Sequence, residues 1–539
     1  MSAGAPSPRL SSGGLLAAAG LVAGVTLAAR AAGLVRWVVF SQAVGATCVG
    51  QVYSTANLVP NVLFEVAAGG ALAAVAVPLV AGHLHRGDEA LADRTASALM
   101  TWTLTVLLPL AAVVALAAGP LTAWLLGTPQ GCSQDAARDA GALMLLLFAP
   151  QIVLYGIGIV LAGVLQAHRR FLAAALAPLL SSLVVIGVYV LYGLTHDAAD
   201  TERALTGPGL WLLAGGTTLG VVALSLPLLL PASRLGVRWR PTWRFPAGTG
   251  RRAGALVVAG VVVVLGQQLA AVVVLLLTNA STGGVAGITV WTYAQTVYLL
   301  PYAVLVVPLA TAAFPRLTAG RAEAIRVLRG ALLGSLVASV AAAAALVAAR
   351  REIGRAFLLL DAGRDHGGRA TLEALAPTVA LLAPGVVGFA LVAVGTRALY
   401  AVGSPRRAAA AATIGWATVA LVPLVAVAPG SDIALTLRWL AIGSSTGMTF
   451  GGALLLLEVV PAWGPRPFAD TGRAVLAALL GAGAALAVRD LLLPTAVQGW
   501  LPTVGLGLAA GLLVVLAVAL AIRWVAPEAW RAVRERMGR

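Results

Sequence analysis

Residues 51–82 read QVYSTANLVPNVLFEVAAGGALAAVAVPLVAG, an apolar run interrupted by one proline, two asparagines and one glutamate. About 20 apolar residues in a helix cross the ~30 Å hydrocarbon core of a bilayer, and this run is longer than that. It lacks the strict alternation of apolar and polar residues that is typical of a barrel strand. The run therefore predicts a transmembrane helix that carries polar groups into the membrane.

Similar apolar runs recur along the whole chain. Of the 539 residues, 60% are hydrophobic and 10% are charged, and the mean hydropathy is +0.95. Soluble domains carry about 25% charged residues, so the composition excludes a soluble globular protein. The predicted fold class is an all-α polytopic membrane protein with about fourteen transmembrane helices. The predicted spans are 12–44, 51–82, 93–118, 137–167, 171–194, 208–231, 251–278, 284–315, 322–349, 370–403, 406–428, 434–460, 469–492 and 499–525.

The basic residues, all 36 of them arginine, are unevenly distributed. With a cytoplasmic N-terminus, 24 lie on the inner side and 9 on the outer side, while Arg30, Arg36 and Arg397 lie within spans. This bias is the positive-inside pattern, although the outer loop 350–369 holds five arginines. The sequence therefore predicts a plasma-membrane protein with both termini in the cytoplasm. The positive charge is expected to attract anionic lipid head groups, and no nucleic-acid motif accompanies it.

Two parts of the chain resemble each other. NLVPNVLFEV aligns with YLLPYAVLVV through Pro60 and Pro301, and the turns within 163–179 and 397–414 each carry an arginine pair. Two packed repeats with a cavity between them are a common plan for transporters. The predicted division is an N-terminal lobe at 1–231, a basic cytoplasmic linker at 232–250, a C-terminal lobe at 251–463, and two further helices with a cytoplasmic tail at 464–539.

Asn57, Asn61 and Glu65 are spaced four residues apart, so they lie on one face of a helix. Pro60 removes one backbone hydrogen bond and predicts a kink. A charge in the middle of a membrane usually faces a partner or water. Three interpretations remain open: a structural polar network, an ion pair between Glu65 and Arg30 at the cavity, or a protonated Glu65 that couples transport to protons, because burial disfavours a charged carboxylate.

The two cysteines, Cys48 and Cys132, fall in loops predicted to face outside, where disulfides are permitted. We favour two unpaired residues slightly over a bridge, because the sequence does not place their Cα atoms within reach. The five histidines form no ligand cluster with them, so no metal site is predicted. Paired carboxylates, a nucleophile elbow and a phosphate-binding loop are all missing, so the chain is predicted to be neither an enzyme nor dependent on a cofactor.

Several blocks of sequence resemble the MurJ/MviN lipid II flippase family of the multidrug/oligosaccharidyl-lipid/polysaccharide exporter superfamily. The chain is interpreted as an actinobacterial-like member. The blocks are AARAAGLVRWVVFSQAVGA (28–46) and YSTANLVPNVLFEVAAGGALAAVAVPLV (53–80) for the first two helices, FAPQIVLYGIGIVLAGVLQAHRRFLAAALAPLL (148–180) for the fourth and fifth, WTYAQTVYLLPYAVLVVPLATAAFPRLT (291–318) for the eighth, and RALYAVGSPRR (397–407) for the turn after the tenth. The last two spans match by hydropathy only.

The resemblance implies two six-helix lobes around a central cavity, with two extra C-terminal helices that shape a groove for a lipid tail. The implied function is to move a lipid-linked peptidoglycan precursor, an undecaprenyl-pyrophosphate saccharide, to the outer leaflet by alternating access. Arg30 and Arg36 match family positions associated with the head group, and arginine binds phosphate oxygens bidentately. Arg397 is expected at the inner interface, with a cavity role as the alternative. Membrane lipids and cell-wall synthesis proteins are the further implied partners.

The chain also departs from the family pattern. Phe64 and Glu65 stand where Gram-negative members carry arginines, and Gln295 and Thr296 replace an Asp-Arg pair of the eighth helix. The expected cavity is therefore less positive, with Asn57, Asn61, Glu65 and Gln295 as its neutral or acidic candidates. Sodium coupling is not predicted, while proton or membrane-potential coupling stays open. The alternatives are an exporter of another polysaccharide-lipid or a drug, or a cell-wall scaffold that does not transport.

Overall fold

The computed structural model describes residues 12–66, 72–129, 131–197, 201–246, 250–318, 320–494 and 497–528. In these ranges the regular secondary structure is helical, apart from one isolated parallel bridge between Thr282 and Asp432. The predicted all-α fold class is confirmed. The first half contains α1 (Ser12–Ala43), α2 (Cys48–Phe64), α3 (Leu72–Leu84), α4 (Glu89–Leu116), α5 (Ala118–Leu126), α6 (Gln134–Ala167), α7 (Phe171–Thr195), α8 (Thr201–Thr206), α9 (Gly209–Ser225) and α10 (Leu229–Ser233).

The second half and the C-terminal segment contribute eleven further helices to the described part of the chain. They are α11 (Gly250–Asn279), α12 (Gly287–Pro301), α13 (Val307–Ala313), α14 (Arg321–Leu360), α15 (Arg369–Glu373), α16 (Leu375–Leu382), α17 (Gly385–Ala401), α18 (Pro405–Ala426), α19 (Ile433–Trp463), α20 (Thr471–Leu492) and α21 (Trp500–Val525). At 40 residues, α14 is about 60 Å long and extends beyond a bilayer.

Within the described ranges, twelve helices are long and apolar enough to cross a membrane. A thirteenth span results if the bent pair Arg364–Leu382 and Gly385–Ala401, which meet at 47°, counts as one. The predicted span 51–82 falls on α2 and α3, and residues 67–71 between them, including Gly69 and Gly70, lie outside the described residues. The total of fourteen spans therefore stays a prediction.

The same helix pairs pack together in both halves of the chain. α1 packs on α7 as α11 packs on α18, and α7 packs on α9 as α18 packs on α19. Likewise, α6 packs on α9 as α17 packs on α19, and α4 packs on α6 as α14 packs on α17. This recurrence agrees with the internal repeat that the sequence predicts, while the residue boundaries of the lobes stay a prediction.

Pro60 and Pro301 hold equivalent places in the two halves. Beyond each proline the helix widens to a π-helical turn, at Glu65 and Val66 in the first half and at Tyr302–Val306 in the second. Proline lacks the N–H of the regular ladder and its ring crowds the preceding turn, and such breaks are a common cause of helix kinks. The disturbance that the sequence predicts at Pro60 is therefore present, and a similar one follows Pro301.

The two C-terminal helices pack against α14 and against each other. Arg489 on α20 forms an ion pair with Glu352 on α14, and both side chains are only 4% exposed. Asp490 extends this pair towards Arg351, with an Nη1–Oδ2 distance of 3.2 Å. Because a buried charge is costly once its partner is removed, this network fixes α20 to α14.

Candidate functional site

The two halves of the chain are joined by buried hydrogen bonds at one end of the helix bundle. We call this contact the seam; it comprises residues 41–55 and Leu125 of the first half and residues 279–293 and 361–363 of the second. Every interhalf hydrogen bond between the described parts of 12–233 and 250–463 lies there. The hydrogen bonds between the described halves are therefore confined to one end, where buried apolar residues of both halves also pack together.

Two amide side chains occupy the centre of the seam. Gln51 donates to Asn279 Oδ1 at 3.1 Å and accepts from the backbone N–H of Ala286 at 3.2 Å. Asn279 in turn donates to Thr55 Oγ1 at 3.0 Å and to the carbonyl of Leu125 at 2.9 Å. Both amides are buried, and each uses its nitrogen and its oxygen. The pair satisfies polar groups from both halves at once.

Asp361, which follows the last residue of α14, forms the second part of the seam. Its carboxylate accepts from Ser41 Oγ at 2.7 Å, Ala46 N at 2.7 Å, Gly363 N at 2.8 Å and Tyr293 OH at 3.0 Å. Burial raises the pKa of the Asp361 carboxyl, and the four hydrogen bonds oppose that rise only in part. One acidic side chain thus ties the end of α1 to α12 and to the end of α14.

Close backbone contacts make glycine necessary beside Asp361. A Cβ at Gly363 would lie 2.2 Å from the carbonyl oxygen of Ala46, and one at Gly368 would lie 2.3 Å from the same atom. A Cβ at Gly50 would similarly lie 2.1 Å from the carbonyl oxygen of Gly45. The loop after α14 can therefore approach residues 45 and 46 only because these positions lack side chains.

The predicted polar face of α2 lies beyond the seam. Asn57, Asn61 and Glu65 are half-buried, and Asn61 donates to the carbonyl of Asn57 at 2.7 Å. Tyr155 on α6 donates to Asn61 Oδ1 at 3.3 Å, and its ring lies 4.6 Å from that of Phe64. The polar face is therefore directed towards α6.

Arg30 and Arg36 of α1 do not form an ion pair with Glu65. The ion pairs between described residues include neither Glu65 nor Arg30, so the predicted pair is not formed in this structure. The Arg36 guanidinium lies 5.5 Å from the ring centre of Trp37, and its Nε is buried without a hydrogen-bond partner. The described contacts of the polar face therefore join Asn61 to Tyr155 and include neither arginine.

Tyr155 was not predicted from the sequence, because a single phenol in an apolar helix is usually a core residue. The other predicted residues lie apart from it. Arg30 is exposed on α1 and Gln295 is half-buried on α12. Arg397 is half-buried and donates to the carbonyl of Ala393 at 2.9 Å and to Thr311 Oγ1 at 3.4 Å. Arg397 is therefore bound within the second half, between α17 and α13.

An apolar groove of about 520 Å³ lies between α1, α12, α14 and α21. Its walls include Leu34, Val38, Phe357, Trp500, Gly507 and the aliphatic part of Glu352. Arg30 precedes Leu34 by four residues, about 6 Å along the same helix face. The groove is thus formed in part by a C-terminal helix and begins one turn from an exposed arginine.

Cys48 and Cys132 form a disulfide with a Cα–Cα distance of 5.9 Å. The interpretation as two unpaired cysteines, which we favoured slightly from the sequence, is wrong in this structure. The bond joins the first residue of α2 to the segment before α6, two elements that the sequence separates by 84 residues. Helix packing brings them together, and no short-range pattern could have indicated it.

Residues 40–520 match the family model for the lipid II flippase MurJ. The chain belongs to this family. A probable lipid II flippase MurJ of Synechocystis sp. is 31% identical over 220 residues, which cover 41% of this chain and 40% of the relative. The Rhizobium meliloti relative is 26% identical over 314 residues, 57% of this chain and 54% of its own length. The matches thus span about half, or less, of these curated MurJ relatives.

The MurJ family relationship extends to solved structures. One described as lipid II flippase MurJ in an inward closed conformation has a TM-score of 0.68 at 18% identity, covering 93% of this chain and 99% of that one. An inward-facing multidrug resistance MATE transporter has a TM-score of 0.61 at 15% identity, covering 82% of this chain and 98% of that one. At these identities the likeness shows the fold, which MurJ shares with MATE transporters.

Proposed function

We propose that this MurJ-family chain moves lipid II, or a closely related undecaprenyl-pyrophosphate saccharide, from the inner to the outer leaflet of the plasma membrane. The observation that carries the proposal is the seam, where the hydrogen bonds between the described parts of the two halves are concentrated at one end of the bundle. Alternating access requires a state of this kind, in which one end is held closed while the substrate reaches the other. The proposal assigns transport and no catalysis.

The proposed orientation has both termini in the cytoplasm. Two independent features support it. The disulfide lies at the seam end, and disulfides persist in oxidising compartments outside the cytoplasm. Most arginines lie towards the opposite end, as the positive-inside rule requires of the cytoplasmic face. In this orientation the seam closes the outer face and the opposite end of the bundle faces the cytoplasm.

We assign the pyrophosphate to Arg30 and Arg36 and the lipid tail to the groove beside α21. Arg30 is exposed within one turn of that groove. Arg36 has a buried Nε without a partner, and an unsatisfied buried donor costs about 1–3 kcal/mol until it finds an acceptor. A phosphate oxygen would supply that acceptor. The polar wall around the saccharide is assigned to Asn57, Asn61, Glu65 and Gln295.

The proposed lobes are 1–231 and 251–463, with a basic linker at 232–250 and the added helices at 464–539. The recurrence of the same helix pairs in both halves supports this division. The ion pair between Glu352 and Arg489 supports a further point: the added helices move with α14 and therefore with the second lobe. Cell-wall synthesis proteins, which consume the flipped precursor, are the proposed partners.

Complementation tests the proposed activity. The chain is expressed in cells depleted of their own flippase, and lipid II in the outer leaflet is measured with an impermeant reagent. We expect outer-leaflet lipid II to be restored. Membrane insertion at normal levels without any restoration would contradict transport and favour a scaffold.

Replacing Arg30 tests the proposed head-group site. Arg30→Ala is expected to lower flipping at least tenfold at unchanged protein level, since each lost charged hydrogen bond to a phosphate is worth about 1.5–3 kcal/mol. Arg523→Ala, which removes an exposed arginine at the end of α21, is the matched control and should leave flipping unchanged. Normal flipping in Arg30→Ala would show that this arginine has no role in binding.

A further inference from the structure

Residues 237–246, between the two halves, lie in an extended conformation along α4. Backbone N–H groups of every second residue donate to side chains that are four residues apart on α4. These pairs are Arg238 N with Asp93 Oδ2 (3.1 Å), Arg240 N with Ser97 Oγ (3.0 Å) and Thr242 N with Thr101 Oγ1 (3.1 Å). Two extended residues advance about 6.6 Å and four helical residues about 6.0 Å. The two repeats match, so the segment is held along α4 in one register.

Two tryptophans fix the far end of this segment. Trp102 Nε1 donates to the carbonyl of Trp243 at 3.0 Å, and Trp243 Nε1 donates to Thr105 Oγ1 at 3.1 Å. Trp243 is nevertheless 62% exposed. The exposed apolar ring of Trp243 therefore lies beside Thr105, about 18 Å along α4 from Asp93.

A polar pocket of about 330 Å³ lies between α4 and the beginning of this segment. Arg94, Arg238 and Arg240 line it together with Asp93 and Thr242. The ion pairs found among the described residues include none of these three arginines. Asp93 offsets one of their charges, so two positive charges remain without a counterion. The pocket is complementary to an anion such as a phosphate.

An apolar pocket of about 390 Å³ continues from the polar one, and the two share Arg240 and Pro241. Its walls are formed by Met100, Leu104, Leu108 and Trp239, among others. The lining extends along α4 from residue 97 to residue 109, about 18 Å of helix. A soluble anion would leave this surface uncovered, whereas an acyl chain would cover it.

We propose that the two pockets form a binding site for one anionic phospholipid of the inner leaflet. The phosphate lies among the three arginines and one acyl chain lies along α4 between Met100 and Leu108. The inner leaflet is anionic and attracts basic segments beside a membrane. The inference rests on the proposed orientation, and not on transport activity. A bound lipid would fasten the connection between the two lobes to the first lobe.

Lipid binding to the purified full-length protein tests the site. Native mass spectrometry counts retained phosphatidylglycerol and phosphatidylcholine during titration of each lipid. In Arg238→Ala/Arg240→Ala we expect retention of phosphatidylglycerol to weaken about thirtyfold, because each arginine near an anionic head group contributes a factor of about five. The control Arg170→Ala/Arg406→Ala removes two exposed arginines from turns on the same membrane face and should retain the lipid like the wild type.

Two further experiments distinguish a lipid head group from inorganic phosphate as the bound anion. Leu104→Trp fills the apolar pocket without changing charge and should weaken retention of phosphatidylglycerol at least tenfold. Inorganic phosphate in large molar excess over the protein should not displace the lipid. Displacement by phosphate would overturn the proposal in favour of a soluble-anion site.

Other outcomes would also overturn the proposal. Equal retention in the double variant and its arginine control would show that the three-arginine pocket does not bind lipid. Unchanged retention in Leu104→Trp would exclude the acyl-chain pocket. Preference for undecaprenyl pyrophosphate over phosphatidylglycerol would make this a loading site for the carrier lipid. Since none of these readouts measures flipping, failure of this site is distinguishable from failure of the proposed transport.

Discussion

The seam differs from the rest of the helix bundle in the burial and hydrogen bonding of its polar side chains. At the seam, Gln51, Asn279 and Asp361 are buried and hydrogen-bonded across the two halves. Midway along α1 Arg30 is exposed, and the described residues outside the seam form no hydrogen bond between the halves. The hydrogen bonds that join the halves are therefore concentrated at one end.

The seam combines polar and apolar contacts. An intramolecular hydrogen bond contributes only about 0.5–1.5 kcal/mol net, because water replaces it when it breaks. The apolar part includes Val49, Val52 and Ile288, which belong to one buried cluster across both halves. Opening the seam therefore exposes apolar surface as well as polar groups.

The disulfide gives the largest expected effect on stability. Cys48→Ser/Cys132→Ser should lower the free energy of unfolding by about 4–5 kcal/mol, the loop-entropy value for a bridge spanning 84 residues. Both cysteines belong to the first half, so the seam should stay closed while the melting temperature falls. Thermal unfolding with and without reductant measures the effect, with the double variant as the reductant-insensitive control. An opened seam in that variant would show that the bridge holds the halves together.

Asp361→Ala should have the largest effect on the seam itself. It leaves the buried N–H groups of Ala46 and Gly363 without their acceptor, which costs about 3 kcal/mol in the closed state. Labelling of Ser54→Cys by an impermeant maleimide from outside should become at least tenfold faster. The matched control is Asp365→Ala, an exposed carboxylate of the same loop that pairs with Arg364. Unchanged labelling in Asp361→Ala would mean that other contacts suffice to close the seam.

A double-mutant cycle on Gln51→Ala and Asn279→Ala should give a smaller, measurable coupling. The two side chains bond directly at 3.1 Å, and contacting polar residues couple by about 0.5–3 kcal/mol. Ser54→Cys labelling in the four variants measures this coupling energy. Additive effects of the two changes would show that the amides act independently and do not form one closing unit.

The pH dependence of the seam is expected to be the smallest effect. Burial raises the pKa of Asp361 above its ordinary value of 3.8, so the closed state binds more protons than the open state. Closure is therefore favoured as the outside pH falls towards that ordinary value and weakens as the pH rises through the raised pKa. Labelling of Ser54→Cys, relative to an exposed cysteine at the same pH, should slow on acidification. Asp361→Asn should abolish that pH dependence. A pH dependence that remains in Asp361→Asn would show that another group binds the proton.

The sequence predicted the helical membrane fold because hydropathy acts locally. A run such as 51–82 must pair its own backbone groups in lipid, whatever its neighbours are. The four-residue spacing of Asn57, Asn61 and Glu65 correctly indicated a shared face for the same reason. The family resemblance, carried by blocks such as 28–46, was confirmed by the match over 40–520.

Contacts between distant helices determined the side-chain partners that the sequence did not predict. Glu65 forms no ion pair with Arg30, and the polar face of α2 instead meets Tyr155 through Asn61, a contact that the packing of α2 on α6 decides. Cys48 and Cys132 meet across 84 residues, and Asp361 collects donors from α1 and α12 that lie far from it in the chain. A residue's type and spacing determine which face it occupies and what it can bind. Only the packing of helices determines which partner that face meets, and therefore which polar groups close the protein.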